Sequence, residues 1–306
     1  MTDLFRSLSG GLARFVLGWI IPSAVAVGLF VLVAGRDLVQ QWPTLKGRVP
    51  GSSTGLVGAG VFTLAVLSLA VLFAYASLPI YRLLEGYTLP RPLARRYLRG
   101  QMRQWRQLQT LARRPELGHL QELSLERLQN YPATRAQLLP TRLGNAYRAL
   151  ETYGSSRYSL DSQTLWYELQ SVIPPQLRRD VEDGRASVDF FVSSVVHCVL
   201  LVVVCALTVA TTRTHSVGAG VLGIAAAALI RPAYNAAVRN MTDYRFSVQA
   251  AVNLGRGPLA NSLGLRLPAS MQQEIALWDV VTEFVAEGKS VDRLRYLNGH
   301  RSSDPG

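Results

Sequence analysis

The apolar residues of this chain gather in four blocks, separated by segments of very different character. The first block runs from Phe15 to Ala34 and is broken only by Gly, Ser and Pro22; the second runs from Gly55 to Ile80. A helix of about 20 apolar residues crosses a hydrocarbon core roughly 30 Å thick, so both blocks are expected to span a bilayer. A cleavable signal peptide has a shorter apolar region that ends at a small-x-small site. The first block runs on through Leu29, Phe30, Val31 and Leu32 and is read as a retained span, kinked at Pro22. The third block covers 188–210. The fourth, Val217 to Ile230, is too short to cross unless its helix continues through Arg231 to about Val238.

These blocks predict an all-α integral membrane protein with four transmembrane helices in two hairpins. Residues 1–81 form the first hairpin, with spans at about 15–34 and 55–80. Residues 82–187 form a cytosolic helical domain, and 188–240 the second hairpin, with spans at about 188–210 and 217–238. Residues 241–306 form a cytosolic helical tail with an amphipathic segment from Phe246 to Leu254, a Gly/Pro-containing turn, and a final helix over Ser270 to Ala286. VGAGV occurs at Val57 to Val61 and again at Val217 to Val221, a weak echo between the hairpins, and Gly55, Gly58 and Gly60 are candidates for close helix approach.

Charge sets the expected orientation. Arg82, Arg91, Arg95, Arg96, Arg99, Arg103 and Arg106 follow the second block closely, and basic residues near span ends are retained in the cytosol. Both termini are therefore expected inside, in the cytoplasmic (inner) membrane. The net charge is +12, but of 32 basic residues only Lys46 and Lys289 are lysine. That arginine bias reads as base composition, so nucleic acid is not expected as a partner, whereas anionic lipid at the inner face is. Between Leu93 and Leu111 apolar residues recur at three-and-four spacing. This helix could lie on the inner leaflet or pack in a cytosolic bundle, and the recurrence of similar stripes further on favours the bundle.

The densest interleaving of polar and aromatic residues lies from Leu139 to Trp166. Thr141 is a plausible N-cap for a helix from Arg142 to Tyr153, stopped by Gly154, and Asp161 or Ser159 can cap the next helix. Asn145, Arg148 and Glu151 share a face by spacing. With Arg142, Arg157, Asp161 and Trp166 they form either a hydrogen-bonded junction or a surface that reads a ligand or a protein partner. In the spans, Asp189 and Arg231 are expected to pair near the cytosolic face, with Asn235 beside Arg231 and His197 as an interhelical contact.

The elements LPTRLGN, RALE, RY-x-LD and LW between Leu139 and Trp166, followed by AAVNLGRGPLANSLGLRLP and ALWDVVTEFV, resemble an uncharacterised family of bacterial multi-spanning proteins, chiefly actinobacterial. The resemblance covers about a third of the chain and implies no known activity. Ser159 stands where that family has glycine after the RY pair, and Tyr167 where it has proline.

Catalytic signatures are missing: no Walker loop, no Gly-x-Ser-x-Gly elbow and no His-Glu-x-x-His occurs, and the four histidines are dispersed. No cofactor or metal is expected; Cys198 and Cys205 lie too far apart on one helix for a disulfide. The expectation is a non-enzymatic membrane protein whose cytosolic domain senses a ligand or recruits a partner. The alternative is a homo-oligomeric channel lined by Asp189, His197, Arg231 and Asn235.

Overall fold

The computed structural model describes residues 15–41, 55–211 and 217–288, together with 296, 297 and 299. The described chain is helical and has no strands. A π-helical turn, Val16–Ile20, leads into α1 (Ile21–Gln41); α2 is Gly55–Tyr75 and α3 Ser77–Glu85. Then come α4 (Arg91–Ala112), α5 (His119–Leu128), α6 (Arg142–Glu151), α7 (Tyr153–Tyr158), α8 (Trp166–Val172), α9 (Pro175–Thr211), α10 (Val217–Ser262) and α11 (Met271–Glu287). Four helices are long and apolar enough to cross a membrane, with apolar stretches at Val16–Val33 and Gly58–Tyr75 and within α9 and α10.

The chain divides into two units. The first comprises residues 1–81 and 185–240, the second 82–184 and 241–306. Both α9 and α10 contribute residues to each unit. The charged lead-in before the third apolar block is therefore part of the same helix as the block itself. The fourth block's helix likewise continues well past Val238 to Ser262, so the amphipathic segment around Phe246 to Leu254 is part of it, and the Gly/Pro-containing turn before α11 lies at 263–270, with Gly264 at φ 71°.

In the first unit the helices approach closely at small residues. A Cβ added to Gly218 would lie 2.9 Å from Val33 Cγ1, and one on Gly223 would lie 3.1 Å from Cys205 Cβ. Such contacts let backbones pack where lipid removes the hydrophobic drive for helix association. Gly60, by contrast, has nothing within 4 Å of its Cβ position. Ala26, Leu201 and Ala226 form a buried cluster with Phe30, Val202 and Leu222 against it. Pro22 is accommodated by the preceding π turn, in which Ile21 N–H donates to the Val16 carbonyl. The wider turn takes up the irregularity that a missing proline N–H would otherwise place in the α ladder. After α2 the helix breaks at Ala76 before resuming in α3.

In the second unit the later part of the apolar stripe of α4 faces protein, whereas Leu93 and Tyr97 near its start are exposed. Leu98, Met102 and Trp105 pack on a core of Leu108, Tyr131 and Leu138, and Tyr131 Oη donates to Gln101 Oε1 at 3.0 Å. Arg91, Arg95, Arg96, Arg99 and Arg103 are exposed. The same unit buries Met241, Val248, Ala251, Val252 and Leu259 along α10 and Leu277, Trp278 and Val281 on α11, each at helical three-and-four spacing. Arg245 is also buried, and donates to Gln129 Oε1 (3.0 Å) and Asn130 Oδ1 (3.3 Å). Those two residues follow the C-terminus of α5, where a cation is favoured by the helix dipole.

Candidate functional site

The stretch from Leu139 to Trp166 folds around Asn145. This residue is 0% exposed, and its side chain makes four hydrogen bonds: Nδ2 donates to the carbonyls of Leu139 (3.0 Å) and Thr141 (2.9 Å) and to Gln101 Oε1 (3.2 Å), while Oδ1 accepts from Leu139 N–H (2.7 Å). Both amide hydrogens and the amide oxygen are engaged inside the protein and the side chain is fully buried, so Asn145 builds the site and does not face a ligand. Thr141 Oγ1 accepts from Gly144 N–H at 3.0 Å and caps α6 as expected. Gly154 does not stop the helix. It lies within α7, where a Cβ would fall 2.5 Å from the Leu160 carbonyl oxygen.

Beyond α7 the chain turns through Ser159, which has φ 55° and ψ 13°, and then through Asp161. The Asp161 carboxylate accepts from Gln163 N–H (2.9 Å) and from the Thr164 hydroxyl (2.8 Å). Thr282 on α11 clasps this turn: its hydroxyl donates to the Ser159 carbonyl (3.3 Å) and accepts from Asp161 N–H (3.2 Å).

A cleft of about 380 Å³ opens between these elements, lined from α6 and α7 by Arg148, Glu151, Thr152 and Ser155, from the turn by Ser159, Asp161 and Gln163, and from α11 by Asp279 and Thr282. Arg148 spans its inner wall. Its Nη1 is 3.5 Å from Glu151 Oε2, its Nη2 donates to Tyr87 Oη at 2.7 Å, and its Nε is buried without a partner. Glu85, at the end of α3, feels the same charges. Burial first, and then Glu151, raise its carboxyl to about 7 against the opposing pull of Arg148 and Arg82. Burial also raises Glu151, opposed by Arg148 and reinforced by Asp161, and raises the Tyr87 phenol.

Three of the expected surface residues, Arg148, Glu151 and Asp161, thus meet in one cleft. The others stand apart from it: Arg142 is exposed, Trp166 is half-buried, and the Arg157 guanidinium sits 5.8 Å from the Tyr153 ring centre. Asp279, Thr282, Glu85 and Tyr87 carry no sequence motif, and their proximity to Arg148 or to the turn arises only from the packing of α3 and α11.

The intramembrane candidates all lie in the first unit. His197 is 3% exposed; its Nδ1 lies 2.7 Å from the Ser193 carbonyl and its Nε2 2.9 Å from Ser23 Oγ, with the Phe73 ring edge-on at 4.8 Å. The tautomer protonated at Nδ1 satisfies both bonds, with the Ser23 hydroxyl donating to Nε2. His197 is therefore an interhelical contact. Asp189 is 1% exposed and accepts from the Tyr81 hydroxyl, with Gly18 packed against its Cβ. Arg231, the partner expected for it, is exposed on α10, and Asn235 is half-buried. Tyr81, on α3, takes the place expected for the arginine. Among the described residues no group of three or more His, Cys, Asp or Glu side chains is arranged to hold a metal ion, and both cysteines are free. Comparison with protein-family models, with curated proteins and with solved structures finds no match to the chain.

Proposed function

We propose that this protein is a non-enzymatic, multi-pass inner-membrane protein whose second unit lies in the cytosol and senses a small ligand. The observation that carries this reading is the convergence of Arg148, Glu151, Asp161, Asp279 and Thr282 on one cleft of about 380 Å³. That volume lies within the range of small-molecule sites, and the cleft sits on helices anchored by the fully committed Asn145. The exposed arginines of α4 support placement at an anionic inner leaflet.

The test is hydroxyl-radical footprinting of the full chain in nanodiscs, with and without the small-molecule fraction of bacterial cytosol. Protection confined to 148–163 and 279–282 is expected. An unchanged footprint with every fraction would remove the sensing role. A homo-oligomeric channel lined by Asp189 and His197 draws less support, because both side chains are enclosed by their own chain at 1% and 3% exposure.

A further inference from the structure

The cleft also carries information about what kind of ligand fits it. Three carboxylates, Glu151, Asp161 and Asp279, line it against one guanidinium, Arg148, in a chain whose net charge is +12. Charge alone would be a weak guide, but the hydrogen-bond inventory points the same way. The Thr152 hydroxyl donates to the Arg148 carbonyl (2.7 Å), Ser155 to the Thr152 carbonyl (3.2 Å) and Thr282 to the Ser159 carbonyl (3.3 Å). Those three hydroxyl hydrogens are committed to backbone, and their oxygens present lone pairs.

Arg148 is the one cation of the lining, and its Nη groups are already directed at Glu151 and Tyr87. Asp279, in contrast, is exposed and makes no hydrogen bond or ion pair with any described residue. The donors left in the lining, the Gln163 amide and the Ser159 hydroxyl, are neutral, whereas the unspent acceptors include the Asp279 carboxylate and the Thr152 and Ser155 oxygens. A ligand that only donates, and carries positive charge, satisfies such a lining. An anion would meet carboxylates with a single guanidinium already engaged.

We propose that the cleft binds a small organic cation of the alkylammonium or guanidinium type, held by Asp279 and by the hydroxyl oxygens of Thr152 and Ser155. This rests on the reading of the cleft as a ligand site and specifies its chemistry. A metal ion is a poorer occupant, since the acidic groups do not converge on one point.

The experiment is isothermal titration of the full chain in nanodiscs of zwitterionic lipid with putrescine, spermidine and agmatine, with phosphate, succinate and Mg²⁺ as separate arms. Binding of at least one amine is expected, with affinity reduced about tenfold or more in Asp279→Asn, a loss of about 1.4 kcal/mol. Asp279 makes no hydrogen bond or ion pair with any described residue, so the variant should keep its melting temperature. Amine binding unaffected by Asp279→Asn overturns the proposal, as does no amine binding at all. Binding of phosphate or succinate in place of amines overturns the cation assignment while leaving the cleft as a ligand site, and binding of Mg²⁺ alone does the same. The footprinting test with cytosolic fractions then decides separately whether the cleft takes any ligand.

Discussion

Gly144 lies so close to the backbone of Glu85 that a Cβ on it would fall 2.3 Å from the Glu85 carbonyl oxygen. The opposing atom is backbone, which cannot swing aside as a side chain could. This contact seats the end of α3 on the start of α6. It is matched one residue on, where Gly86 takes φ 96° and packs against Pro140. Gly144→Ala is expected to destabilise the second unit by about 2–3 kcal/mol, in the range of overpacked cores, and to displace Glu85 and Tyr87 from Arg148. Gly100→Ala is the control: that position is inside α4 with open space around it, so alanine should stabilise by up to about 1 kcal/mol. Thermal melts of both variants check this, and equal effects would refute the contact.

Glu85 should make stability depend on pH. Its carboxyl rises from 4.5 to about 7 in the fold, so between those values the folded state holds a proton that the unfolded state has released. Stability therefore falls as pH rises through this window and levels off above it. Glu151 acts in the same direction. Glu85→Gln should flatten the profile of melting temperature measured from about pH 5 to about pH 8. A profile in the variant as steep as in the wild type would show that other groups set it.

The spans were legible because length and apolarity suffice to define them, and the N-cap at Thr141 because its chemistry is local. The continuous helices α9 and α10 were not. The Gly/Pro-containing turn region was expected to begin after Leu254, yet the helix runs on to Ser262 through Gly255, where a Cβ would meet Leu169 Cδ1 at 2.6 Å and Ile173 Cγ2 at 2.9 Å. Glycine was serving tertiary approach, which outweighed its local helix-breaking tendency. Gly154 misled for the same reason. Ser270 precedes α11 but makes no side-chain cap bond, so the start of that helix is set by its packed face and not by a cap. Half of the cleft was legible in the grouping of Arg148, Glu151 and Asp161. Asp279 and Thr282 were not, since only the packing of a helix more than a hundred residues away brings them in.

Tyr81 and Asp189 give a second stability test. The Tyr81 hydroxyl donates to a carboxylate that is 1% exposed, and a buried acceptor deprived of a donor costs about 1–3 kcal/mol. Tyr81→Phe should therefore weaken the first unit by about that amount in detergent melts. The effect should shrink on an Asp189→Ala background, giving a coupling of about 1 kcal/mol in the double-mutant cycle. Additive losses would show that the two side chains do not act together. Arg231→Ala, at an exposed position, should leave the melt within about 0.5 kcal/mol.

Ser159 is the one non-glycine described residue with positive φ, at 55°. Left-handed backbone costs an L-residue about 1–2 kcal/mol. Its hydroxyl makes no hydrogen bond with any described residue, and its N–H, which donates to the Ser155 carbonyl (3.1 Å), and its carbonyl, which accepts from Thr282 (3.3 Å), are backbone atoms that glycine also has. Glycine relieves the strain but also loosens the unfolded chain, an entropy term of about 0.5–1 kcal/mol. Ser159→Gly should accordingly stabilise the second unit by about 0.5–1 kcal/mol, with the cleft geometry intact. Ser159→Val, β-branched in the same conformation, should destabilise by more than about 1 kcal/mol. Urea titration of the full chain in nanodiscs reads both, and a less stable glycine variant would mean that the Ser159 side chain contributes a contact the turn requires.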